Sequence, residues 1–247
     1  MEKGTSYIYS WFFDKSDKEI TMLRAYGLNS NGENMCLVVK DFTPFVYVEL
    51  PRDMIWNSSN SLQVGIKIDE LMGYQKPTKK VLVFKKKLYG AFLDKDGKRL
   101  SFPYLFCAFS NTNDIYSLCK KLQRPVTISG IGSIKLKVHE NSASPILQLT
   151  CCRKIPSVGW IKFAGKRVSE EDKISICEHE YNVKFKALED CDSTLIPKLK
   201  VMCFDIEVYS SNPSMMPQAH KPKDVIFQIS CIINKHGDDI ENYKSYL

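Results

Sequence analysis

The run Lys200-Val201-Met202-Cys203-Phe204-Asp205-Ile206-Glu207-Val208 constrains the fold of this chain more than any other. Between the lysine and the first carboxylate every position is apolar. That pattern belongs to a strand buried on both faces in the middle of a sheet, not to one with a wet face. Side chains two apart on a strand point the same way, so Asp205 and Glu207 project together while Phe204, Ile206 and Val208 pack on the opposite face. Two carboxylates at the end of a buried strand are costly to desolvate without compensating charge. A divalent cation supplies that charge, and oxygen donors suit Mg²⁺ or Mn²⁺. Such a pair can form half of a two-metal site for phosphodiester hydrolysis. Taken alone, Asp-x-Glu is more often an ordinary strand end at which both acids face water, and spacing does not separate the two readings.

The rest of the chain reads as strand-rich. Tyr7–Phe13, Ile20–Leu28, Met35–Val39 and Phe45–Leu50 are β-prone runs. Polar turns at Asp14–Lys18 and Asn29–Asn34 separate the first three, and the set predicts an antiparallel meander. Arg52–Ser61 is a polar interruption. Lys80–Lys87 and Tyr89–Leu93 predict a strand pair closed by the turn Asp94-Lys95-Asp96-Gly97, and Leu100–Phe109 continues the β character. The first clear helix spans Asp114–Leu122, with Ile115, Leu118, Cys119 and Leu122 on one face, Asn113 or Thr112 as cap, and Arg124-Pro125 as stop. Gly130-Ile131-Gly132-Ser133 is expected as a turn between β segments. Ile146–Thr150, Gly159–Phe163 and Lys173–Phe185 are expected as further strands. The acidic, turn-rich segment Ala187–Pro197 is the expected boundary, giving domains 1–195 and 196–247.

Composition narrows the class. Hydrophobic residues make up 44% of the chain and aromatics 11%, globular values. No apolar run approaches the ~20 residues of a membrane-spanning helix, and the polar start Met1–Ser6 does not read as a signal peptide. The nine cysteines are odd in number and scattered, with Cys151 and Cys152 adjacent. They read as reduced thiols of a cytosolic or nuclear protein, Cys36, Cys203 and Cys231 acting as small hydrophobes. Cys177-Glu178-His179 is two ligands short of a zinc site. The net charge of +7 is compatible with a polyanionic partner. Lys85-Lys86-Lys87 beside Tyr89 is either the solvated end of a strand or a phosphate contact, and charge alone favours the former.

Context around the carboxylates adds a resemblance. Phe204-Asp205-Ile206-Glu207 after its hydrophobic strand resembles the first exonuclease motif of family B DNA polymerases. Asp224-Val225-Ile226-Phe227-Gln228-Ile229-Ser230-Cys231 resembles the second strand of that domain. Arg24-Ala25-Tyr26-Gly27, the run Asp41–Pro51, His139-Glu140-Asn141 before Pro145–Leu149, and Gly159-Trp160-Ile161 resemble the family's amino-terminal region, as in delta-like replicative polymerases of large DNA viruses. The resemblance implies an α+β fold: a β-rich amino-terminal domain followed by the first strands of an RNase H-like α/β exonuclease domain. It implies that Asp205 and Glu207 are catalytic metal ligands for Mg²⁺ or Mn²⁺ in a completed 3′→5′ proofreading site. It also implies DNA as partner (a primer-template and its single-stranded 3′ end), an intracellular setting at a viral replication site in host cytoplasm or nucleus, and no membrane.

Family members complete the exonuclease site with carboxylates and a tyrosine from later motifs, and neither Tyr209 nor Tyr243 lies in one. Catalysis is therefore expected to need the remainder of the polymerase, in cis or as a separate chain, whether a split gene, an intein, a broken gene or a partial sequence is the cause. A lone strand pair is expected to leave Ile226, Ile229, Ile232 and Ile233 uncovered. Two other readings stay open. One is a non-catalytic module that binds single-stranded nucleic acid, with stacking residues among Tyr7, Trp11, Phe45 and Tyr47, although their alternation with apolar neighbours favours core packing for most of them. The other is an autonomous metal-dependent nuclease.

Overall fold

Strands carry most of the architecture, as the β-branched and aromatic runs require. The computed structural model describes residues 1–13, 21–87, 90 and 92–246. The expected turn at Asp14–Lys18, the first residue of the Ile20–Leu28 run, and Tyr89 lie outside the described residues. Two units result: Met1–Asn29 with Glu33–Ser193, and Ser30–Gly32 with Thr194–Leu247.

In the first unit, β1 (Glu2–Phe13), β2 (Leu23–Leu28) and β3 (Asn34–Val39) are antiparallel neighbours. The meander ends there. Strand β4 (Phe45–Glu49) leaves it and opens a second sheet, followed by α1 (Ser58–Met72), β5 (Lys79–Lys86), β6 (Ser101–Ala108) and α2 (Thr112–Lys121). The hairpin of β7 (Val126–Ile128) and β8 (Gly132–Ile134) precedes β9 (Lys137–His139). Gly130 and Gly132 supply the positive φ of its turn, 75° and 98°. The chain then returns through α3 (Pro145–Arg153), β10 (Gly159–Arg167) and β11 (His179–Asp190).

Strands β1, β10, β11, β3 and β2 close into a barrel, with β11 parallel to β3 and the other pairs antiparallel. It is a five-stranded barrel of OB type. Ile8, Leu23, Ala25, Leu37, Ile161 and Leu188 fill it, and Leu149 of α3 is fully buried in the same cluster. The four-stranded sheet runs β5-β6-β4-β9, all pairs antiparallel, and with α1 and α2 it makes a βαββαβ unit of ferredoxin-like topology. Its helix-facing core contains Val46, Val48, Leu105, Cys107, Val64 and Leu118.

Five local expectations change. The polar interruption after Arg52 opens a helix: Asn57 caps α1 by accepting from the Ser59 and Asn60 amides, and the Asn60 side chain accepts the Asn57 amide in return. Ile146–Thr150 is helical, not extended, because Ser144 caps the Ile146 amide and Pro145 occupies the first turn, where its missing N–H costs nothing. Asn111, not Asn113 or Thr112, caps α2 through the Asp114 amide. The strand expected from Lys173 starts only at His179: the Glu180 carboxylate takes the Ile174 and Ser175 amides, and Lys173 Nζ donates to the carbonyls of Cys177 and Glu178, folding that segment into a closed loop. Strand β5 also pairs with β6 and not with the segment around Leu93, although the Asp94–Gly97 turn forms as expected.

The second unit is a three-stranded antiparallel sheet in the order β12 (Lys200–Tyr209), β13 (Val225–Lys235), β14 (Lys244–Tyr246).

Candidate functional site

Strand β12 lies along β13 in unbroken register from Lys200↔Lys235 to Glu207↔Gln228, and Val208 then pairs with Ile226. One residue of β13, Phe227, is therefore extra, and a β-bulge falls immediately beside Glu207. Bulges of this kind bend a strand and re-aim its side chains, and they recur next to active sites. Directly opposite one another on one face are Asp205 with Ser230 and Glu207 with Gln228. Gln228 Nε2 donates to Ser230 Oγ at 3.3 Å, so the two polar partners are themselves tied together. The other face carries Phe204, Ile206, Cys231 and Ile229.

The connection between the strands is held by one carboxylate. Asp224 Oδ1 accepts from the Ser211 amide (2.9 Å) and hydroxyl (2.5 Å), and Oδ2 accepts from the Gln218 amide (2.9 Å). The Ser211 hydroxyl, then the Ser211 and Gln218 amides, bring its pKa down to about 2. The long insert Ser210–Lys223 is thus closed onto the first residue before β13, next to the bulge.

Sequence reasoning placed β12 in the middle of a buried sheet, and this is corrected. Among the described residues it is an edge strand with every residue exposed, Phe204 at 61% and Ile206 at 39%, because β13 is the one strand paired with it, the uncovered state expected of a lone strand pair. Asp205 and Glu207 are exposed with it. Desolvation therefore places no demand for a cation on the pair as it stands here; what remains is donor chemistry, two carboxylates on one face with a hydroxyl and an amide across from them. Hard oxygen donors of this type fit Mg²⁺ or Mn²⁺ as part of a six-coordinate set. Among the described residues no group of three or more His, Cys, Asp or Glu side chains is arranged to hold a metal ion. Ile226, Ile229 and Ile232 are exposed and Ile233 half-buried. Ser230 and Gln228 were not singled out from sequence; only the register, which fixes what faces the carboxylates, brings them in.

The other sequence candidates find ordinary partners. Lys87 pairs with Glu49 (2.5 Å) over the Phe102 ring, and His139 Nε2 donates to the other Glu49 oxygen (2.6 Å). Burial works to raise the Glu49 carboxyl, but these two hydrogen bonds outweigh it and hold it below its ordinary value. Lys85 sits over the Tyr47 ring, and Lys86 is exposed. Phe45 and Tyr47 pack in a cluster of rings with Phe106, and Trp11 Nε1 donates to the Ser157 carbonyl (2.9 Å). Tyr7 meets Trp160 edge-on. Near the former zinc candidate, His179 lies between Glu33 and Arg167, each at 3.0 Å, and Glu178 accepts the Asn34 amide. All nine cysteines are free thiols; Cys36 is buried, with burial pushing its pKa up to about 12, whereas Cys203 is exposed and does not serve as a core residue.

Residues 136–247 match the family model for DNA polymerase family B, exonuclease domain. The chain is 38% identical over 258 residues to DNA polymerase 037L of Invertebrate iridescent virus 6, covering 94% of this chain and 20% of that protein. It is 34% identical over 260 residues to DNA polymerase 120R of Invertebrate iridescent virus 3, covering 96% of this chain and 22% of that one. The chain thus spans about a fifth of the length of these relatives. Its fold is similar to that of the family B DNA polymerase from Pyrobaculum calidifontis, with a TM-score of 0.63 at 14% identity, over 98% of this chain and 26% of that one. The mixed α+β, strand-rich architecture, the matched exonuclease region and the viral relatives agree, and the chain belongs to the amino-terminal and exonuclease region of the family B DNA polymerases.

Proposed function

We propose that these residues contribute the amino-terminal domain and the opening strands of a 3′→5′ proofreading exonuclease to a replicative DNA polymerase, acting on the single-stranded 3′ end of a primer-template. The observation that carries this reading is the pairing of Asp205 and Glu207 on one face of β12, beside a bulge, within the matched segment. When bound, Mg²⁺ or Mn²⁺ would supply the charge that activates a water and stabilises the leaving oxygen of a phosphodiester. Asp205 and Glu207 are the residues here that would hold it. Ser230 and Gln228 stand opposite them on the same face of the sheet.

The remaining ligands come from polypeptide outside these 247 residues, in cis or as a separate chain, and DNA synthesis has its own site there. The domains divide at 195/196, the second being of RNase H-like type. The setting is the compartment in which a large DNA virus replicates, host cytoplasm or nucleus. No helix among the described residues is long and apolar enough to cross a membrane.

The test joins this chain to the polymerase segment that follows it in the viral relatives and measures removal of a mispaired 3′ nucleotide. Asp205→Ala and Glu207→Ala should each abolish removal with Mg²⁺ or Mn²⁺ while leaving primer extension intact. Excision that persists in the double variant would refute the assignment. The 247-residue chain by itself should degrade no DNA, and Mg²⁺-dependent degradation lost in Asp205→Ala would establish an autonomous nuclease instead.

A further inference from the structure

The sheet of the first unit ends on one side in β5, an edge strand of sequence Lys79-Lys80-Val81-Leu82-Val83-Phe84-Lys85-Lys86. Its register with β6 is unbroken over all eight residues, about 26 Å of straight strand. Which backbone groups face outward follows from the neighbouring pair. The Leu50 amide donates to the Pro103 carbonyl, so Pro103, Leu105 and Cys107 direct their groups toward β4, and Phe102, Tyr104 and Phe106 direct theirs toward β5. Val81, Val83 and Lys85, the partners of the latter three, are consumed by β6. Leu82 and Phe84, and with them Lys80 and Lys86, turn their N–H and C=O groups to the open side. Among the described residues no strand pairs with them.

Edge strands are normally blunted by a bulge, a proline, shortness or charged side chains, lysine above all. No bulge or proline interrupts β5. Its four lysines sit at the two ends, and its centre is apolar and partly uncovered, with Phe84 57% and Val81 40% exposed. Lys80 is engaged by Asp69 and Lys85 lies over Tyr47, leaving exposed Lys79 and Lys86 as the charges that flank the open edge. Two such edges would set lysine against lysine, which disfavours a second copy of this chain. A strand with acidic ends and a β-branched or apolar centre matches the edge in charge, hydrogen bonding and side-chain alternation at once.

We propose that β5 is a docking edge for an extended acidic segment of a partner protein, which joins the sheet as a fifth strand. It is independent of the exonuclease reading and lies in the other unit.

The probe is a fluorescein-labelled peptide, acetyl-Asp-Glu-Val-Thr-Val-Thr-Glu-Asp-amide, titrated into the full chain by fluorescence anisotropy. Binding should weaken with salt, and Lys79→Glu with Lys86→Glu should weaken it by about tenfold while admitting the charge-reversed peptide with lysine ends. Phe84→Pro removes an outward amide without touching the β6 ladder and should cost about tenfold, whereas Phe84→Thr, which keeps the amide, should cost much less. Hydrogen exchange supplies a reading that needs no variant: the peptide should protect the Leu82 and Phe84 amides. Absent protection, or Phe84→Pro binding as tightly as the parent, overturns the proposal. So does displacement of the peptide by a single-stranded oligonucleotide at equal concentration, which would make the lysines a phosphate site.

Discussion

Replacing Gln148 by Met should destabilise the first unit by an amount that the backbone ladder predicts. Even-numbered residues of β4 direct their backbone hydrogen bonds to β6, so the backbone groups of Phe45, Tyr47 and Glu49 face the β9 side, but β9 reaches only as far as Tyr47↔His139. The Phe45 groups thus have no strand partner, and the Gln148 side chain takes the place of one. Its Oε1 accepts from the Phe45 amide at 3.1 Å and its Nε2 donates to the Phe45 carbonyl at 2.7 Å. Gln148 is 4% exposed and Phe45 8%. Methionine conserves volume and removes both bonds, orphaning two buried backbone groups at about 1–3 kcal/mol each, or about 2–6 kcal/mol together.

All three tryptophans, Trp11, Trp56 and Trp160, lie in this unit, so urea unfolding followed by tryptophan fluorescence reports on it alone. With a slope of about 2 kcal/mol per molar urea, the midpoint should fall by about 1–3 M. Gln148→Glu adds a pH test. Its carboxylate still accepts the Phe45 amide but cannot donate to the carbonyl, and burial beside that oxygen raises its folded pKa above the unfolded ~4.3. The variant should therefore be weakest at neutral pH and gain on the parent as pH falls through the folded value, because the protonated acid donates. A Met variant within about 0.5 kcal/mol of the parent, or a Glu variant whose deficit does not change with pH, would refute the surrogate-strand account.

Other consequences are as direct. A methyl group at Gly27 would land against the Tyr7 carbonyl oxygen and the Ser6 hydroxyl, so Gly27→Ala should cost about 1–3 kcal/mol in the same urea titration. Because Glu49 has its pKa lowered on folding, its contribution is present above the unfolded carboxylate value and is lost as pH falls through the folded one; the stability gap between the parent and Glu49→Gln should close in acid below about pH 4. Asp224→Asn should release the insert onto which it closes. Hydrogen exchange at the Ser211 and Gln218 amides should then speed up at pH 7, whereas the parent should lose that protection only near its pKa of about 2. Unchanged exchange would separate the insert's order from this carboxylate.

Much of the strand content was legible because period-two and β-branched runs leave few alternatives: β1, β3, β6 and β12 lie where those runs lie. That Asp205 and Glu207 share a face follows from the same period. The helices were harder. The apolar residues Ile146, Leu147 and Leu149 fit a strand as well as a helix, and Ser144 with Pro145 at the start was the deciding signal. Asn57 and Asn60 were the corresponding signal for α1, hidden in a polar stretch that reads as a loop.

Sequence alone determined where most strands lie, the strand period that aligns the two carboxylates, and the family resemblance. Tertiary structure decided which strands pair. It closed five of them into a barrel against which α3 packs, sent β4 into another sheet, left β5 and β12 as edges among the described residues, and set Ser230 and Gln228 across from the acids. Neither the partners that face Asp205 and Glu207 nor the role of Gln148 is visible in the chain, because burial and register depend on partners that are distant in sequence. A residue's periodicity says which way it points; only its neighbours in space say what it meets there.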